Sequence, residues 1–231
     1  MKPPTAPVPP HMVDMSPEAV AKRVAEMELA SAATKQRNCL KDFLEAGDFF
    51  LGDESLTLTL QRRAAVSAAG DPEDFLEADD RFQWNLLALE SLAAAGTGPW
   101  LTVIMQGGVH TEQVYLPTGA VLTASLVSRR SCEHAGTRLK TRGINDEGAT
   151  ANFVETEQIL HLQATGGSAV ASYVQVRGSA PIFWEQHKSL TVTKARVSRV
   201  PALTVPALRS HVESLKELYG PPLMLSLLET R

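Results

Sequence analysis

Five β-rich runs follow one another between Trp100 and Arg177, and the short gaps between them restrict the fold more than any other feature. Trp100–Gln106, His110–Tyr115, Val121–Ser128, Phe153–Leu162 and Val170–Arg177 are punctuated by Gly107-Gly108, Pro117-Thr118-Gly119, Asp146-Glu147-Gly148 and Gly166-Gly167. A parallel crossover needs about a dozen residues, and most of these gaps are shorter, so successive runs pair as antiparallel neighbours. The glycines and prolines are the turn formers that such a meander requires.

Helices flank this region. Ser16-Pro17-Glu18 has the make-up of a helix start, with a hydroxyl cap, proline at the first helical position and an acid in the first turn. Val20, Val24 and Met27, then Leu40, Phe43 and Leu44, recur at helical spacing up to Gly47, which predicts a surface helix docked by one face. Ser-Leu-Thr-Leu-Thr-Leu at 55–60 alternates with period two and predicts a half-buried strand. An acidic, turn-rich stretch from Gly70 to Asp80 precedes a helix expected over 81–95, with Phe82, Leu86 and Leu89 on one face. A helix over 205–219, stopped by Gly220-Pro221-Pro222, and a strand over 223–228 are expected last. The fold class is therefore α+β, an antiparallel or mixed β-sheet with flanking helices.

Five prolines in the first ten positions make 1–15 a disordered, Pro-rich lead-in, followed by a helix and short-strand region over 16–80 and a sheet-bearing region over 81–231. The only cysteines, Cys39 and Cys132, lie too far apart to suggest a disulfide framework and fit a reducing compartment. No apolar run approaches the ~20 residues of a membrane span, and prolines stand where a signal peptide needs its apolar core. A cytoplasmic protein is expected.

The sharpest chemical signal is the stretch 128–142, which carries Arg129, Arg130, Arg138, Lys140 and Arg142 against the single acid Glu133, in a chain of net charge −4. A basic cluster in an acidic chain points to a bound anion, and arginine is the better bidentate phosphate ligand. Within it Cys132 and Arg138 have the Cys-x5-Arg spacing of cysteine-dependent phosphatases, whose loop depresses the thiol pKa. The context argues against a nucleophile here. The residues after Arg138 end in turn formers rather than a helix, Glu133 opposes a bound phosphate, and only one glycine lies in the loop. Cys132 is expected to be a decoy, a small and partly buried residue beside a strand.

On the strands, Glu155 and Glu157 share a face with Phe153, about 6–7 Å apart. Tyr173, Gln175 and Arg177 share one face of the following strand. If these strands pair, an arginine facing a carboxylate forms an internal ion pair that orients a site. Two acids on one strand cannot flank a glycosidic bond from opposite sides. His110 and His134 have no metal-like partners at i+3 or i+4, no Walker or dinucleotide pattern occurs, and aromatics are sparse near the basic cluster. No metal, no cofactor and no nucleic acid are expected.

Five ordered motifs, read together, carry a resemblance. They are Arg81-Phe82-Gln83-Trp84-Asn85, then Ser128-Arg129-Arg130-Ser131-Cys132-Glu133 leading into Ala135-Gly136-Thr137-Arg138 and Arg142-Gly143, then Asn152–Gln158, Val174–Gln186 and Leu215–Gly220. As a set the chain resembles the Sac family of phosphoinositide phosphatases, most closely synaptojanin-like Sac domains, over about 80–220. The resemblance implies that 81–231 is the first part of a Sac catalytic domain, with a reduced or replaced N-terminal lobe over 16–80. It implies hydrolysis of phosphate from phosphatidylinositol phosphates at cytoplasmic membrane surfaces, through a cysteinyl-phosphate intermediate. The family nucleophile belongs to a later Cys-x5-Arg-Thr motif that does not occur in these residues, so no catalytic residue and no turnover are expected from this chain alone. Arg129, Arg138, Arg142, Asn152, Glu155 and Arg177 are the expected substrate-binding or site-supporting residues. The expected partner is a phosphoinositide headgroup or anionic membrane surface. The alternative is a catalytically silent module binding anionic lipid or a protein partner.

Overall fold

The computed structural model describes residues 17–52, 55–69, 78–96, 101–136, 141–188 and 193–227. The chain divides into two units, Met1–Gly47 and Asp48–Arg231. The first contributes one long helix, α1 (Pro17–Ala46), which ends just before Gly47 as its sequence requires. Its described side chains are all exposed, Val24, Met27, Leu40 and Leu44 of the expected apolar face among them. Ser16 and the lead-in lie outside the described residues.

The second unit is built on an antiparallel sheet in the order β1-β2-β3-β4-β5, made of Phe49–Phe50, Met105–Tyr115, Val121–Arg130, Val154–Ala164 and Gly167–Arg177. This is the meander predicted from the short connections, with one correction. Gly107-Gly108 does not break the chain into two strands but lies inside a continuous β2. A side-chain carbon at Gly107 would stand 1.8 Å from the Ser128 carbonyl oxygen, so glycine here permits close backbone approach rather than a turn.

Three further expectations are corrected. The alternating segment 55–60 is not a strand: it turns at 56–58 and enters α2 (Leu60–Ala69), while Thr57, Leu58 and Thr59 are all buried. Its carbonyls point at a buried arginine described below, and that demand overrides strand pairing. The helix expected from Arg81 begins only at Leu86, as α3 (Leu86–Ala94). Asp79 accepts from the Arg81 N–H and holds a 3-10 turn over Asp80–Phe82, and the Asn85 side chain bridges Thr102 O and the Ile104 N–H. The run after Gly220 forms no strand through residue 227.

A hairpin that the patterning did not anticipate, β6 (Trp184–Lys188) with β7 (Thr193–Val197), precedes α4 (Pro201–Tyr219). That helix starts four residues earlier than expected because Pro201 pre-sets the first turn. Two apolar clusters hold α4. Leu215 packs with Phe82 and Phe153, with Tyr219 at the margin, and Ala207 packs with Ile144 and Phe183.

Candidate functional site

Arg129 is the centre of the second unit. On β3 it lies opposite Glu155 of β4, with Glu157 two residues along on the same face and Gly107 opposite on β2. Its side chain is 0% exposed. Nη1 donates to Glu155 Oε1 at 3.0 Å and Nη2 to Glu157 Oε2 at 2.7 Å. Nε donates to Leu56 O at 2.6 Å and Nη2 also to Leu58 O at 2.9 Å. Four of the five donors of a guanidinium are thus occupied inside the protein. The Leu-Thr-Leu alternation serves to present two carbonyls to this fork.

The two glutamates differ. Burial alone would raise Glu157, but bonds from Ser172 Oγ (2.7 Å), the Leu60 N–H (2.8 Å) and Arg129 outweigh it and hold its carboxyl below the ordinary value. Leu60 is the first residue of α2, so this carboxylate also sits where the helix dipole favours it. Burial pushes Glu155 up, and Tyr219, Arg129 and Arg81 do not fully offset it. Tyr219, at the last position of α4, donates to Glu155 Oε2 at 2.5 Å and accepts from Arg81 Nη2 at 3.1 Å. Arg81 is itself forked onto Asp79, at 2.9 and 2.7 Å, and lies over the rings of Phe82, Tyr219 and Phe153. Arg62 of α2 joins Asp79 from the other side.

At the start of the Cys-x5-Arg segment the Ser131 N–H donates to Phe153 O, that of Cys132 to Arg81 O and that of Glu133 to Ser131 Oγ, so these three amides are engaged within the protein. Cys132 Sγ lies 3.3 Å from Asp80 O and 3.7 Å from Gln83 O. Burial pushes its thiol up, and the charges of Glu133, Asp80 and Asp79 add to this against one lowering backbone bond. Arg138 lies outside the described residues.

The remaining predicted residues are dispersed. Arg142 donates to Gln186 Oε1 from Nε and Nη2, at 3.1 and 2.8 Å, and covers the Trp184 ring. Asn152, at φ 53°, donates to Thr141 O and accepts from Arg130 Nη2. Arg177 is exposed on β5 across from Val154 and is not the arginine that faces the carboxylates; Arg129, one strand to the other side, takes that place. Arg81, Asp79, Tyr219 and Arg62 escaped sequence reasoning as site residues. Two of them stand within recognised motifs, and that membership was the available signal. A pocket of about 410 Å³ between the turn at 145–150 and α4 is lined by Arg81, Glu133, Phe153, His211 and Leu215 among others. Burial pushes the His211 imidazole below its ordinary pKa, against a hydrogen-bonding contact of its Nδ1 with Gly148 O at 3.0 Å.

A family model described as SacI homology domain matches residues 11–231. The chain belongs to the SacI homology domain family. It is 41% identical to human Synaptojanin-1 over 157 residues, which is 66% of this chain and 10% of that protein. It is 37% identical to human Synaptojanin-2 over 196 residues (83% and 13%) and 37% identical to zebrafish (Danio rerio) Phosphatidylinositol-3-phosphatase SAC1-A over 189 residues (80% and 31%). The chain therefore spans between a tenth and a third of the length of these relatives. No described helix is long and apolar enough to cross a membrane.

Proposed function

We propose that these residues form the supporting wall of a phosphoinositide phosphatase domain, acting on phosphatidylinositol phosphates at the cytoplasmic face of membranes, and that they do not furnish its nucleophile. One observation carries the reading: Arg129 and Cys132 of the basic segment turn their chemistry inward. Arg129 spends its donors on Glu155, Glu157 and two carbonyls, and Cys132 is ringed by carbonyls and carboxylates that favour the thiol over the thiolate. Membership in the SacI family and the name of the zebrafish relative supply the substrate class. Arg142 ties the segment before β4 to Gln186 of β6, and Asn152 holds the Thr141 carbonyl, so both serve the scaffold in this reading.

The purified chain, incubated with vesicles containing phosphatidylinositol 4-phosphate, is expected to release no phosphate above background, and Cys132→Ser is expected to change nothing. Phosphate release that Cys132→Ser abolishes would overturn this reading.

A further inference from the structure

β2 leaves one edge of the sheet unfinished. β1 pairs with it only at Met105 and Gln106, and the Asp48 carbonyl takes the Gly107 N–H at 2.9 Å. The direction of the remaining backbone groups follows from the β2–β3 turn. The Leu116 N–H donates to Ala120 O, so Val114, Glu112 and His110 point their N–H and C=O groups at β3. Val109, Thr111 and Gln113 alternate with them and point theirs outward, in phase with Gly107. Among the described residues nothing bonds to these outward groups, and residues 109–115 are all exposed.

An edge of this length is normally blunted by lysine, proline or a bulge. Residues 107–115 contain neither lysine nor proline, and their register with β3 runs without a bulge. The opposite edge of the sheet is partly covered, since Gln61 Nε2 of α2 donates to Ser172 O of β5 at 3.3 Å. A helix cannot finish the β2 edge, because its backbone groups are spent within it. Any element laid over the edge without pairing would strand these polar groups away from water. The fitting occupant is therefore a strand, and α1 is not a candidate at any position.

β2 is complementary to itself. About a two-fold axis through Thr111, antiparallel pairing sets Thr111 against its own counterpart and Val109 against Gln113 of the second copy. Each of these pairs then exchanges two backbone hydrogen bonds. The same register sets His110 beside Glu112 of the second copy, twice, in the pairs whose side chains come closest. His110 and Glu112 are the only acidic or basic side chains of β2, and they face Leu126 and Ala124 on β3. Moving the axis to Glu112 or to His110 sets that residue against its own copy. A slip of one residue sets outward groups against inward ones, and the hydrogen bonds are lost.

We propose that β2 is a dimerisation edge that pairs antiparallel with β2 of a second copy of this chain about a two-fold axis at Thr111. The pairing is isologous, as a closed dimer demands, and it joins two sheets into one. It goes beyond the phosphatase reading and does not rest on it, since no residue of β2 has a part there.

Sedimentation of the full chain tests it. A species of two 25.0 kDa copies is expected at micromolar concentration. His110→Glu sets carboxylate against carboxylate twice and should weaken the dimer at least about tenfold. Adding Glu112→Lys should restore it, with far-UV circular dichroism confirming the fold throughout. In a chain whose two cysteines are replaced by serine, Thr111→Cys should cross-link to a dimer, its two copies being about 5.5 Å apart between Cα atoms. Gln113→Cys should not, because the same register holds its two copies about 14 Å apart. A monomer at all concentrations, a dimer indifferent to His110→Glu, or efficient cross-linking through Gln113→Cys would each overturn the proposal.

Discussion

Arg129→Met should destabilise the sheet-bearing unit by about 3–5 kcal/mol, the cost of leaving buried charge without its partner. The substitution strands the Glu155 and Glu157 carboxylates and the Leu56 and Leu58 carbonyls in a place that water does not reach. Urea unfolding at neutral pH measures it. The partner substitutions should be unequal. Glu157→Gln should cost more than Glu155→Gln, because Glu157 sits where its carboxylate is favoured and Glu155 where its neutral form is. Their pH dependences have opposite signs. Glu157, with its folded pKa below the unfolded 4.5, contributes stability above that pH and loses it as pH falls through the depressed folded value. Glu155, raised above 4.5, contributes fully below that pH and loses its contribution as pH rises through the raised folded value. Glu155→Gln should therefore lessen the loss of stability on going from about pH 4.5 to neutrality, and Glu157→Gln should lessen the loss below it.

Phe82→Ala should cost a further unit-wide 3–5 kcal/mol, about the range for emptying an aromatic core position. Phe82 is fully buried, stacks with Phe153 at 6.5 Å between ring centres and packs against Leu215 of α4. It also lies 4.8 Å beneath the Arg81 guanidinium, so its loss removes the floor under the charge cluster as well as the core. Phe82→Leu should cost distinctly less, because it leaves a smaller cavity. Leu87→Ala, at a side chain 78% exposed, should stay within about 0.5 kcal/mol. Denaturant midpoints of the three variants, at equal m-values, provide the comparison.

Much of this was legible in the sequence, and the misses share a cause. The meander was readable because turn formers and strand runs are local signals. The pair of glutamates on one strand face was readable because a strand has period two. What local pattern could not show was demand from elsewhere in the fold. Residues 55–60 alternate like a strand, but the guanidinium of Arg129 claims their carbonyls. Gly107 looks like a turn signal, but the neighbouring strand requires its missing side chain. Arg177 on the following strand was the candidate for the glutamates' partner, but the strand on the other side of β4 places Arg129 there, and only the register decides. The β6–β7 hairpin, with its mixed polar strands, carried too weak an alternation to be seen.

The central claim is that the Cys-x5-Arg spacing at Cys132 belongs to the scaffold and not to an active site. Alkylation of Cys132 by iodoacetamide, followed against pH in a Cys39→Ser chain, tests it most directly. The surroundings of the thiol raise its pKa above the ordinary 9.0, so labelling should accelerate only as pH rises through and past that value. Rapid labelling near about pH 6, the mark of a thiolate held ready for attack, would contradict it.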